Sequence, residues 1–232
     1  MTAVFCLAFP SDVSAQGFGL GGQRNSANCP NDAAAFNERY ADKGAYALSP
    51  DKSRILLTFD QGYENGFTAT ILDTLAEKNV KAVFFLTGDY AKREKELVRR
   101  MLDEGHSIGN HSMTHPNFSG LTAEKMKQEI MALHDFVADE YGYEMQYFRF
   151  PCGDYSDEAL GVVSDCGYKT LFWSFAYVDW LTDSQPSVAE GLDKTISSAH
   201  GGAIYLLHSV SETNSRILGE IIDSLRGKGY IL

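Results

Sequence analysis

From Arg54 to the C-terminus, short apolar runs alternate with longer amphipathic stretches, and this alternation restricts the fold more than any other feature of the chain. The apolar runs occupy residues 55–59, 81–86, 106–109, 146–150, 169–173 and 203–207. The stretches between and after them, 67–78, 91–104, 123–141, 157–166, 188–198 and 212–228, carry apolar residues at helical spacing. Strand followed by helix, repeated six times, predicts an α/β fold with a parallel sheet and crossover helices. Thr122 reads as a helix start, and Gly105, Gly142 and Gly167 read as helix stops. Two architectures satisfy the pattern: a doubly wound open sheet and a closed (β/α) barrel. A dinucleotide-binding sheet should open with a glycine-rich turn after its first strand. Here the first strand runs into TFDQGYENG, with an acid and one glycine at the turn. That disfavours the dinucleotide reading.

Charge narrows the partners. The net charge of −11 over 232 residues, with a pI near 4.9, argues against non-specific binding to nucleic acid or to anionic membrane surfaces. Residues 3–10 form a short apolar run, followed by the small-x-small triplet Val13-Ser14-Ala15. Residues 1–15 are therefore expected to be a truncated signal peptide, and the protein to be secreted or associated with the cell wall. No run approaches the ~20 apolar residues needed to span a bilayer. Residues 16–30 are glycine-rich and aperiodic, which predicts a flexible leader. A short helix over 31–41, capped by Asn31 or Asp32, is expected to follow. Of the cysteines Cys6, Cys29, Cys152 and Cys166, cleavage after Ala15 would leave three, which predicts no disulfide framework.

Ionisable groups gather where the apolar runs end. The first ends in Asp60-Gln61-Gly62, and the third in Asn110-His111 with His115 four residues on. The fourth holds Arg149 and ends in Pro151-Cys152-Gly153; the stretch beyond the fifth reaches Asp179-Trp180; the sixth ends in His208. Each alone has a plainer reading: a turn aspartate, a helix-start histidine pair, a core histidine, a structural arginine. In a parallel barrel, however, all C-terminal strand ends share one face, and catalysis resides there. Six such groups coinciding at equivalent strand ends favours a joint role.

In order, TFDQGYENG, HSMTH, RFPCG, VDW and LLHSVS closely resemble the five motifs of the polysaccharide deacetylase (NodB-homology) family, carbohydrate esterase family 4. The resemblance covers residues 53–232, and implies a single distorted (β/α) barrel preceded by an N-terminal extension over 16–52. GYENG, FWSFAYVDW and IYLLHSVSETN are most similar to the branch that deacetylates muramic acid on the way to muramic δ-lactam in spore cortex. The resemblance implies that Asp60 is the general base, held by Arg149. It implies that His208 is the general acid, oriented by Asp179, and that His111 and His115 are metal ligands. The backbone N–H of Cys152 would meet the oxyanion, and Trp180 and Leu206 would wall the acetyl pocket. The implied cofactor is a divalent metal ion, zinc or similar, and the implied partner is a peptidoglycan glycan strand; a monomer is expected, though nothing in the sequence fixes the oligomeric state. Amide hydrolysis independently needs a polarised carbonyl, an activated water and a protonated leaving nitrogen.

Two departures stand out. Gln61 occupies the position of a metal-binding Asp in most of the family, so a neutral amide replaces an anionic ligand and weaker metal affinity is expected. Cys152 stands where the family usually has Tyr or Arg, which admits a thiol nucleophile as a less favoured alternative. Three functions follow as expectations: deacetylation of N-acetylmuramic acid in peptidoglycan, deacetylation of N-acetylglucosamine in peptidoglycan or chitin-like oligosaccharides, or catalytically weak binding of wall glycan. Retention of Asp60, Arg149, Asp179 and His208 argues against the last, because a pure binder needs neither base nor acid.

Overall fold

The computed structural model describes residues 16–232; the expected signal segment, residues 1–15, lies outside the described residues. In chain order the strands are β1 (Gln16–Gly17), β2 (Ala45–Tyr46), β3 (Leu56–Gln61), β4 (Val83–Leu86), β5 (Ser107–Asn110), β6 (Tyr147–Phe148), β7 (Asp154–Tyr155), β8 (Lys169–Leu171) and β9 (Ile204–His208). The α-helices are α1 (Asn31–Tyr40), α2 (Thr68–Glu77), α3 (Gly88–Arg93), α4 (Lys95–Asp103), α5 (Ala123–Tyr141), α6 (Asp157–Asp165), α7 (Val188–Ser197) and α8 (Glu212–Gly227). Seven strands make one parallel sheet in the order β2-β8-β6-β5-β4-β3-β9. Isolated bridges, Leu48 with Ala203 and Phe175 with Tyr205, span the gap between its edges. The sheet thus curls into a half-barrel, which meets the expectation of a distorted barrel.

The apolar runs are nearly continuous because both faces of each strand are covered. Alternate residues point outward, so Leu57, Phe59, Phe84, Ile108, Tyr205 and Leu207 pack under the helices. Their neighbours point inward, where Phe85, Leu171 and Ile204 form a smaller buried cluster with Tyr46, Leu56, Val83 and Tyr147 around it. This inner cluster fills the barrel beneath the C-terminal strand ends.

Local chemistry sets the helix bounds. Thr122 caps α5 by accepting from the Lys125 N–H, and Gly142 ends it at φ +64°, a conformation that costs glycine little. Ser187 and Glu190 form a capping box at the start of α7. The single helix expected over 91–104 is instead two, because Glu94 takes φ −102° and ψ 43° and breaks the run. Pro30, rather than Asn31 or Asp32, is the N-cap residue of α1. Among the described residues no helix is long and apolar enough to cross a membrane.

The flexible-leader expectation is overturned. β1 pairs antiparallel with β7, and Phe18 donates its N–H to the Gly153 carbonyl at 2.8 Å. The Phe18 ring is buried against Phe36, Phe172 and Trp173, with centroids 5.1, 4.6 and 5.3 Å away. One large apolar side chain anchored in an aromatic cluster was enough to dock a segment whose composition argued for mobility. Further along, β2 adds an edge strand that its two residues did not announce. Replacing Phe18 by Ala should lower unfolding free energy by roughly 3–5 kcal/mol, as other buried Phe truncations do. Urea denaturation measures this, and an unchanged midpoint would show that the segment contributes nothing to the fold.

Candidate active site

The C-terminal ends of β3 and β9 are hydrogen-bonded neighbours, with Asp60 in register with His208. Arg149 follows β6 directly and is wholly buried. Its Nη1 donates to Asp60 Oδ1 at 2.7 Å, while Nε and Nη2 donate to the carbonyls of Leu171 and Phe172 at 2.9 and 3.2 Å. The guanidinium also lies over the Phe85 ring, 4.2 Å from its centroid. Phe85 has room there because residue 109 on β5 is glycine: a Cβ at that position would sit 2.4 Å from the Phe85 ring. Burial alone would raise the Asp60 pKa, but the charge of Arg149, aided by that of His208, outweighs it and holds the carboxyl below its ordinary value.

His208 carries the opposite bias. Its Nδ1 meets Asp179 Oδ1 at 2.7 Å, and its backbone N–H donates to Asp179 Oδ2 at 2.8 Å. Burial pushes the imidazole pKa down, but Asp179 and then Asp60 push harder, and the net direction is up. Trp180 is about half exposed, and its ring stands 5.5 Å from that of His208. Leu206 lies two residues before His208 on the same face of β9, buried.

His111 and His115 follow β5 on a loop, not a helix start, with ring centroids 4.8 Å apart. Burial lowers the pKa of His111, and burial with the adjacent His111 lowers that of His115 to about 4. Both are therefore neutral near pH 7. His111 Nδ1 bonds the Arg149 carbonyl at 2.9 Å, so Nδ1 carries the proton and Nε2 presents a lone pair. That lone pair faces Asp60 Oδ2 at 3.5 Å. Two acceptors so opposed suit a cation between or beside them.

Strain is concentrated in the loops around this face. Ser112, His115 and Cys152 all have left-handed φ, at +66°, +58° and +56°, a conformation that costs a non-glycine residue about 1 kcal/mol or more. The Ser112 hydroxyl accepts from the His115 N–H at 2.9 Å, and Glu129 of α5 takes both the N–H and hydroxyl of Thr114, which hold the histidine loop in that shape.

These are the residues expected from the strand ends, brought to one rim by a sheet whose chain matches the polysaccharide deacetylase family over residues 47–171. The chain belongs to the polysaccharide deacetylase family. This polysaccharide deacetylase is 39% identical to peptidoglycan-N-acetylmuramic acid deacetylase PdaA of Bacillus subtilis over 203 residues, 87% of this chain and 77% of that protein. The solved structure of Bacillus subtilis PdaA, a family 4 carbohydrate esterase, matches with a TM-score of 0.87 at 36% identity, covering 94% of this chain and 93% of that one. A peptidoglycan-N-acetylglucosamine deacetylase of Bacillus cereus is 31% identical over 196 residues, 82% of this chain and 70% of that protein.

Deacetylases of this family are generally metal-dependent. Among the described residues no group of three or more His, Cys, Asp and Glu side chains is arranged to hold a metal ion. The nitrogen donors of His111 and His115 fit a borderline cation such as zinc. Gln61 is fully buried; its Nε2 donates to the Ser209 hydroxyl, and its Oε1 has no hydrogen-bond partner. A buried acceptor left bare costs about 1–3 kcal/mol, which a cation would offset. Two neutral imidazoles beside the Asp60 carboxylate, and a bare amide oxygen on the next residue, are donors of the type that a divalent metal accepts.

The cysteine readings change. Cys152 is disulfide-bonded in the full chain, which takes away its thiol there, while Cys29 and Cys166 are free. The residue that sequence reasoning missed is Asn214 on α8, whose Nδ2 donates to Asp179 Oδ2 at 2.5 Å and to the His208 carbonyl at 3.2 Å. A neutral helix residue gives no sign of such contacts, although it lies within the quoted C-terminal motif.

A raised His208 pKa contributes stability that is complete below about pH 6.5, the unfolded value, and is lost as pH rises through the folded value. Asp179→Asn should therefore bring the His208 midpoint down when followed by NMR titration. A midpoint unchanged by that substitution would show that the carboxylate does not govern the imidazole.

Proposed function

We propose that the protein removes N-acetyl groups from amino sugars of peptidoglycan, and that its substrate is N-acetylmuramic acid on the way to muramic δ-lactam in spore cortex. The observation that carries this reading is the pairing of two oppositely biased groups on one rim: Asp60, kept anionic by Arg149, and His208, biased towards its protonated form by Asp179. Such a division supplies one base and one acid near neutral pH. The likeness to PdaA supports muramic acid over glucosamine.

In this reading Asp60 takes a proton from water as its oxygen attacks the acetamide carbonyl. The backbone N–H of Cys152 meets the developing oxyanion, a contact worth roughly 3 kcal/mol in comparable sites. Trp180 and Leu206 enclose the acetyl methyl. As the tetrahedral species collapses, the C–N bond breaks and His208 protonates the departing nitrogen. Acetate and a free amino sugar result. His111 and His115, with Gln61, would hold a divalent cation of the zinc type, which when bound polarises the carbonyl and lowers the pKa of water. Action on a wall polymer would require the protein to work outside the cytoplasmic membrane, secreted or wall-associated. Residues 53–232 carry the deacetylase motifs, and the segment 16–52 adds the edge strand β2 to their sheet.

Acetate release tests the proposal. Peptidoglycan lacking stem peptides should be deacetylated faster than intact glycan or chitohexaose. Preference for chitohexaose would transfer the reading to glucosamine units, and glycan binding without acetate from any of the three would favour a wall-binding protein. Asp60→Asn should lower kcat by roughly 10²–10⁴-fold, the usual worth of a positioned base. Gln61→Asp should tighten divalent-cation binding measured by calorimetry, because an anionic ligand replaces a neutral one. Equal affinity in the two proteins would show that residue 61 does not face the cation.

A further inference from the structure

We propose that Asn214 and Tyr177 are positioning residues that lock Asp179, and through it His208, in the one orientation useful for proton donation. The inference rests on the reading of His208 as the general acid. Asp179 is fully buried, and its two oxygens receive three donors: His208 Nδ1 on Oδ1, and the His208 backbone N–H and Asn214 Nδ2 on Oδ2. An ionised carboxylate only accepts, so the end of the Asn214 amide that faces it must be the NH₂ group. The amide oxygen then points the other way, towards the Tyr177 hydroxyl, which bonds Asn214 Oδ1 and must donate to it. Burial, reinforced by Asp179, raises the Tyr177 pKa, so the phenol keeps the proton it donates.

The donors form a directed chain: Tyr177 to Asn214, Asn214 to Asp179, with His208 donating to Asp179 from its other side. The direction fixes the His208 tautomer, with the proton of the pair on Nδ1 and Nε2 left to exchange protons. Asn214 also donates to the His208 carbonyl at 3.2 Å, so one side chain restrains both the carboxylate and the backbone that carries the imidazole. Packing holds the chain still. Gly191 of α7 brings its backbone close to Tyr177, where a Cβ would lie 3.5 Å from the hydroxyl, 2.7 Å from Ile217 and 3.1 Å from Thr213. Ser211 caps α8 by accepting from the Asn214 N–H at 3.0 Å. The charged groups that act on His208 are Asp179, Asp60 and Arg149, none of which Asn214 alters in charge.

The full chain, labelled with ¹⁵N-histidine and free of substrate, provides the first measurement. Its His208 Nδ1 proton should appear far downfield and exchange slowly with solvent. Asn214→Ala should speed that exchange by at least about tenfold and lower kcat by about tenfold, with KM within about twofold, as expected for loss of one hydrogen bond that acts in the transition state. Tyr177→Phe keeps the packing and should produce a smaller change of the same kind, about threefold in kcat, because only the orientation of the amide is released. Exchange and kcat both within about twofold of wild type in the two variants would overturn the proposal, whatever happens to Tm. If the wild-type chain releases no acetate from any glycan while Asn214→Ala still frees the Nδ1 proton, the functional reading fails and the locking of Asp179 stands.

Discussion

The buried ion pair between Arg149 and Asp60 is the constraint around which the barrel rim is arranged. Neither charge could remain in the interior alone, because an unpaired buried ion costs several kcal/mol. The pair is tolerable only because its surplus donors are used: Nε and Nη2 of Arg149 reach two successive carbonyls, Leu171 and Phe172, at the end of β8. One guanidinium therefore ties together β3, β6 and β8, strands far apart in sequence. The Arg149 carbonyl in turn fixes the His111 ring. A structural interaction and a chemical one are here the same set of bonds, so the register of the sheet and the charge state of Asp60 cannot vary independently.

The second pair, Asp179 with His208, mirrors the first with the charges exchanged in role. In one the cation is hidden and the anion is presented to the rim; in the other the anion is hidden and the imidazole is presented, with about a fifth of its side chain exposed. Hidden partners set the charge of presented ones. Around these rigid pairs lie the strained loops at Ser112, His115 and Cys152, braced by bonds from α5 and by the β1–β7 ladder. Backbone strain persists where surrounding contacts over-determine it, and both loops meet that condition.

Much of this was legible in the residues. The six long apolar runs became six strands because burial on both faces demands continuous apolar character, and helix ends at Gly105, Gly142 and Gly167 all carry the positive φ that their residue type suggests. Asp60, His111, Arg149 and His208 were legible because ionisable groups at strand ends contradict the apolar texture around them. What was illegible followed physical rules too local or too distant to leave a pattern. β1, β2 and β7 have two residues each, too few for periodicity. The break at Glu94 is a single dihedral inside an amphipathic run. Phe18 docks through tertiary contacts that a glycine-rich neighbourhood conceals. Gln61 was read towards the metal, yet its amide nitrogen is turned to Ser209 while its oxygen is left bare, a split that no spacing could announce. Asn214 is neutral and helical, and gains its importance only from what the fold sets beside it.

Gly109 offers nothing to a substrate, a proton or a cation. Its missing side chain nevertheless defines the height of the Phe85 ring, and that ring is the floor on which the guanidinium of Arg149 rests. A single methyl group at position 109 would tilt the ring, the ring would lift the cation, and the cation would drag the carboxylate it holds. The reactivity of the rim is thus governed partly from below, by an atom that is not there.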